Sequence, residues 1–314
     1  MECPWLTILW LSPTAGAGIV MLLPRTHHAV AKWVGLVVAL AVLGITGVVA
    51  TGYEADAEQY QFLEKRSWID SLGAGYTVGI DGIALVLVIL TAALTPLLII
   101  AGWNDASGRA NAPHAYVALM LALESLALLS FVALDVVLFY VAFEATLLPL
   151  YFLIGGYGGN RTQASSAAVK FLLYNLFGGL VMLAAVVGLY VVTAHASHGT
   201  LDVRHLVNAT HAVDPAIQRV LFLGFFAAFA VKAPLWPLHT WLPGVATSAK
   251  PATAVMMMAI VDKVGTFGML RYCLPLFPDS ATYFRPVIVT LAVIGIVYGA
   301  VLAIGQTDVM RLIA

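Results

Sequence analysis

Seven ionisable side chains, Glu124, Asp135, Glu144, Lys170, Lys232, Asp262 and Lys263, fall within or at the edges of long apolar stretches. A charge at mid-bilayer costs about 2.5–3.5 kcal/mol on insertion scales, so several in one chain imply that they face one another or a hydrated cavity. Two readings stand at this point. They are ion pairs that lock helices together, or they are stations on a proton route. Lys232 discriminates best. It lies deep in an apolar run and opens the segment KAPLWPLHTWLP (residues 232–243), in which Pro234 and Pro237 cannot donate backbone hydrogen bonds. The helix is therefore expected to break there, freeing the carbonyls of Ala230 and Ala233. Irregular backbone at membrane depth survives where it lines a cavity or finds polar partners, which places Lys232 to meet water and protons.

Glu144 sits mid-run in FEATLLPLYFLI (residues 143–154) and needs a cation. Two unit charges about 4 Å apart at an effective dielectric near 20 attract by about 4 kcal/mol, so making and breaking such a pair holds and releases a proton. Lys263 lies in MMMAIVDKVGT (residues 256–266) beside Asp262. Neighbouring helical residues point about 100° apart, so the two serve different faces, and Asp262 reads first as an anchor to an adjacent helix. His239, just past the break, either shuttles protons or hydrogen-bonds freed carbonyls.

The elements that must position these groups are helices in a bilayer. The 314 residues are 61% hydrophobic and 10% charged, against roughly 25% charged in ordinary soluble domains. Mean hydropathy is +0.95. Apolar stretches suited to a hydrocarbon core of about 30 Å recur along the chain, without the alternation of a β-barrel. Nine spans are predicted near Trp5–Leu23, Val30–Ala50, Gly82–Gly102, Tyr116–Val132, Val136–Ile154, Ala167–Thr193, Ile217–Leu242, Ala252–Cys273 and Pro286–Ile304. The fold class is thus all-α, a polytopic transmembrane bundle of about nine helices with the seventh broken. Residues 51–81 hold Glu54, Asp56, Glu58, Glu64 and Asp70 against only Lys65 and Arg66, and read as a solvated loop. With the N-terminus outside, Arg25, Lys32, Arg109, Arg161, Lys250 and Arg311 fall on cytoplasmic loops. Glu2 stands where a signal peptide would carry positive charge, so the first apolar run is expected to remain as a span.

Several function classes are excluded. A net charge of −1 offers no basic stripe for nucleic acid. Cys3 and Cys273 have no metal-ligand spacing, and no dinucleotide fingerprint or haem ligand pair is present, which argues against a self-contained redox enzyme. GGYGGN (residues 155–160) lacks the Lys-Ser/Thr of a phosphate loop and reads as a flexible turn. A purely structural scaffold would gain nothing from the break at Lys232.

Three motifs in order, FEATLLPLYFLI around Glu144, AAVKFLLY around Lys170 and KAPLWPLHTWLP from Lys232, resemble the M-subunit family of bacterial NADH:quinone oxidoreductase, respiratory complex I. The resemblance is dense from about Tyr116 onward. It implies an antiporter-like fold and a membrane-arm subunit that moves protons in the cell inner membrane. It further implies that Glu144 pairs with Lys232 and that Lys263 passes the proton on, with His239 and Lys170 as further relay candidates. It places no cofactor in this chain: NAD, FMN, iron–sulfur clusters and quinone belong to other subunits. The implied partners are neighbouring antiporter-like membrane subunits and lipid. A multi-subunit sodium/proton antiporter shares the glutamate and both lysines and is the alternative. Gly244 and Ala246 stand where the family usually carries an aspartate and often a histidine. Helices 1–3 with the acidic loop are expected to occupy residues 1–112, the antiporter-like core 113–274, and the start of a second helical repeat 275–314. Family members run to about fourteen helices, so the exit half of the path is expected from helices beyond those present here.

Overall fold

Helix length and apolarity place nine candidate membrane spans among the described residues, which in this computed structural model are 3–24, 26–69, 73–106, 112–194 and 201–313. The spans are α1 (Trp5–Leu22), α2 (His28–Thr51), α3 (Gly82–Ala101), α4 (Ala112–Val132), the pair α5 (Val136–Ala145) and α6 (Leu147–Tyr157), α7 (Arg161–Thr193), α9 (Pro215–Lys232), α11 (Pro251–Leu276) and α12 (Pro278–Ile304). Short helices α8 (Val203–Thr210), α10 (Leu242–Ser248) and α13 (Val309–Ile313) lie between and after them. Helix α4 is the central post, with 78% of its span buried against α1, α2, α3, α5, α6 and α11. At the other extreme α12 buries only Ser280. Arg25, Arg109 and Asp70, which entered the orientation and loop readings, lie outside the described residues.

The polar insert after α2 is not simply a solvated loop. Strands β1 (Gln61–Ile69) and β2 (Ala74–Ile80) pair antiparallel, with Lys65 opposite Thr77 and Arg66 opposite Tyr76. The acidic residues Glu54, Asp56 and Glu58 stay exposed before the hairpin, whereas Ala74, Val78 and Ile80 are buried. Net acidity hid that apolar strand in the sequence. The hairpin also caps helices. The Glu64 carboxylate accepts from Leu6 N at 2.8 Å and Thr7 N at 3.2 Å, satisfying the open amides at the start of α1. Asp135 caps α5 through Val137 N (2.9 Å) and Leu138 N (3.1 Å) and accepts from Gly75 N of β2 at 2.9 Å. Burial pushes its carboxyl above the usual range while these three N–H groups oppose the shift.

Two boundaries shift, one through a proline and one through a side-chain cap. The last span begins at Pro278 rather than Pro286, because Pro278 occupies the first helical turn with Asp279 beside it. Pro286 lies inside the helix. Asn160 caps α7 by accepting from Thr162 N and Gln163 N, so that helix starts at Arg161 and not at Ala167. Half of the glycine-rich stretch is also helical: Gly155 and Gly156 continue α6, and Gly158 ends it against Ser248 O.

Candidate functional site

Prolines interrupt both helices that carry the central charges. Helix α9 ends at Lys232, and turns run from Ala233 to Trp241 before α10. The expected break is present, but the Ala230 carbonyl is not left open. Leu235 N donates to Ala230 O at 2.9 Å, and the Trp241 indole donates to Val231 O at 3.0 Å. On the facing element, α5 gives way to α6 at Thr146, three residues before Pro149, which has no N–H to offer Ala145.

Lys232 reaches across to that second interruption. Only 1% exposed, its ammonium donates to Phe143 O at 2.5 Å and to Thr146 Oγ1 at 2.8 Å, and lies 3.6 Å from the centre of the Phe143 ring. Thr146 Oγ1 donates in turn to the same Phe143 carbonyl at 2.7 Å. Such a seat, two oxygens and a π-face, holds an ammonium in a dry interior. Glu144 is flanked by these partners. The charges of Glu144 and Lys232 act on each other, yet no N···O contact of 4.0 Å or less joins them. The pairing that the resemblance implies is therefore a near approach, with Lys232 held by the residues on either side of Glu144.

Glycine positions the carboxylate. A Cβ at Gly179 of α7 would clash with Glu144 Cδ and both of its oxygens, so the carboxylate lies directly against the α7 backbone. Next to it, a Cβ at Gly178 would come within 3.2 Å of Ala228 Cα, drawing α7 onto α9. Two glycines inside a helix each cost about 1 kcal/mol relative to alanine, which was the one sequence signal of this close approach.

Lys263 and His239 meet elsewhere. Both line a cavity of about 850 Å³ between the broken segment, α11 and the ends of α12 and α13, together with Asp262, Thr266, Tyr298 and Arg311. The His239 ring packs edge-on against Tyr298 with centroids 5.4 Å apart, and its Nδ1 is buried with no partner among the described residues. Lys232 is not in that lining, although Ala233 and Pro234 are. Lys170 stands apart on α7, where its ammonium donates to Thr240 O at 2.7 Å and Tyr174 OH meets Thr240 Oγ1 at 2.9 Å, tying α7 to the broken segment. Glu124 is wholly buried within α4. Sequence reasoning missed Phe143, Thr146 and Gly179.

Residues 133–314 match the family described as NADH:quinone oxidoreductase/Mrp antiporter, transmembrane. The chain is 58% identical over 99% of its length to NADH-quinone oxidoreductase subunit M of Mycobacterium tuberculosis, of which it spans 62%. Among solved structures, it is similar to a chain of respiratory complex I from Thermus thermophilus with bound NADH, at 28% identity and a TM-score of 0.84 over 98% of this chain and 61% of that one. A chain of the Mrp complex from Dietzia sp. is similar at 25% identity and a TM-score of 0.81, over 98% of this chain and 32% of that one.

Proposed function

Because the chain belongs to the NADH:quinone oxidoreductase/Mrp antiporter membrane family, we propose that it is a proton-translocating membrane-arm subunit of an NADH:quinone oxidoreductase in the cell membrane. The observation that carries this reading is the buried Lys232 seat on Phe143 and Thr146, which flank Glu144, at facing helix interruptions. A scaffold would close an ion pair there. A seat in which the ammonium rests on neutral oxygens with a carboxylate close by lets the proton's hold be tuned by small helix movements. The chain itself carries no redox centre in this reading; electrons pass through partner subunits, and this subunit supplies the proton path. Identity to subunit M favours this over an Mrp-type sodium/proton antiporter.

The test is NADH-driven proton uptake in inverted membrane vesicles whose complex contains this chain. Glu144→Ala should reduce uptake to near background at normal complex content. Full uptake at unchanged stoichiometry would refute the proton role, and uptake that depends on external sodium would move the chain to the antiporter reading.

Two further outcomes follow from the geometry. Gly179→Ala puts a methyl group on the Glu144 carboxylate, the end of a flexible side chain, so the carboxylate moves while the helices stay. Stability should change by less than about 1 kcal/mol, whereas proton uptake per assembled complex should fall several-fold. Uptake at the wild-type level would mean that the place of Glu144 is loosely specified. Lys263 lines the cavity, where a relay must give its proton up. Lys263→Arg keeps the charge but holds its proton near neutral pH. It should pump no better than Lys263→Ala, and full activity of the arginine variant would make Lys263 a fixed charge.

A further inference from the structure

We propose that Asp262 is a proton relay between Lys232 and Lys263, so that the path runs Glu144, Lys232, Asp262, Lys263 with charge alternating at each station. The inference rests on the reading of the chain as a proton-translocating subunit. The placement comes from α11. Its π-helical turn, Met257–Val261, ends immediately before Asp262, and π turns rotate the residues that follow and recur at functional sites. Gly265 is three residues on and so shares a helix face with Asp262. A Cβ at Gly265 would lie 2.9 Å from Ala233 N and 3.1 Å from Phe229 O, so this face of α11 is pressed onto the end of α9, of which Lys232 is the last residue.

Asp262 is 7% exposed, yet it lines the same cavity as Lys263 and Ala233. Its charge acts on both ammonium groups. It closes an ion pair with neither, and its side chain makes no hydrogen bond among the described residues. A carboxylate kept at such depth to pin helices would be expected to close its pair, because an unpaired buried charge costs several kcal/mol. Acted on by two cations and bonded to neither, it can receive a proton from one and give it to the other.

The steps balance. The Lys232 ammonium breaks an N–H bond as the Asp262 carboxylate forms an O–H bond, leaving a neutral amine and a neutral acid. Asp262 then gives that proton to Lys263, once Lys263 has released its own, which restores the carboxylate and leaves Lys263 as ammonium. Water carries the proton wherever a gap exceeds hydrogen-bond length.

The experiment uses vesicles with the assembled complex, with uptake normalised to complex content. Asp262→Asn keeps the shape and cannot exchange the proton, so uptake should fall about tenfold or more, equivalent to about 1.4 kcal/mol on the barrier. Asp262→Glu should retain most of it. Redox-induced difference infrared spectra should contain a carboxylic C=O band that shifts in Asp262→Glu and vanishes in Asp262→Asn, which a fixed counter-ion would not give. Normal uptake in Asp262→Asn overturns the inference. If Asp262→Asn does not assemble, Asp262→Glu decides, and the absence of a shifted band overturns it. A parallel Lys232→Ala arm separates the two levels. Uptake intact in both variants sinks the proton-path reading itself, whereas uptake lost in Lys232→Ala and kept in Asp262→Asn sinks only the role of Asp262.

Discussion

Lys232→Ala should abolish NADH-driven proton uptake in vesicles that contain the assembled complex. The substitution removes an ammonium that makes two hydrogen bonds, to Phe143 O and Thr146 Oγ1, and that covers the Phe143 ring. Hydrogen bonds to charged groups contribute about 1.5–3 kcal/mol each, so some loss of stability accompanies the loss of function. The functional loss has a separate cause. Glu144 and Asp262 both interact with this one cation, so its removal cuts the charge sequence at its centre. Lys232→Arg separates the two effects: the guanidinium restores charge and hydrogen bonding but holds its proton near neutral pH, so assembly should recover while uptake stays near background. Pumping by the arginine variant at the wild-type rate would show that Lys232 acts as a fixed positive charge.

The largest loss of stability is expected at Arg271→Leu. Arg271 Nη2 donates to Asp81 Oδ1 at 2.6 Å, with the two side chains only 4% and 13% exposed. The pair joins the second π-helical turn of α11, Met269–Cys273, to the start of α3, where Asp81 also caps by accepting from Ala84 N at 2.9 Å. The guanidinium lies 4.9 Å from the centre of the Phe267 ring and 5.0 Å from that of Tyr60, so the bond also fastens the hairpin region to the bundle. Removing one partner of a buried pair leaves the other charge uncompensated and costs about 3–5 kcal/mol. Asp81→Asn should cost nearly as much. The double variant should cost less than the sum by about 0.5–3 kcal/mol, since neither charge is then stranded. Detergent or denaturant unfolding of the purified chain reads all three variants. A loss below about 0.5 kcal/mol in Arg271→Leu would place that side chain among ordinary surface substitutions.

The spans and the break at Lys232 were legible because each follows from local physics. A run such as Ile83 to Ala101 has one stable form in a bilayer, and Pro234 removes a backbone donor wherever it stands. Pro149 offered the same local signal beside Glu144, yet its consequence, a Phe143 carbonyl shared by Thr146 and Lys232, required the facing helix to be in place. The hairpin was hidden because seven residues from Ala74 to Ile80 give too short an apolar signal beside an acidic stretch, and their burial depends on the α4–α5 connection packed over them.

By itself the sequence determined an all-α membrane bundle, the burial of Glu124, Lys232 and Asp262 and the interruption of the seventh span, whereas Lys170 and Lys263 are exposed. These are set by the cost of leaving backbone groups or charges in hydrocarbon, which each segment meets on its own. Only the tertiary structure decided which charges meet. It set Lys232 on the oxygens flanking Glu144 without a closed ion pair, let Gly179 bring the α7 backbone against the Glu144 carboxylate, and set Asp262 and Lys263 on one cavity that Lys232 does not line. Spacing along one helix fixes direction only relative to that helix. Distances of a few ångströms between helices depend on how side chains and glycines let the backbones approach, and electrostatic coupling falls steeply over that range.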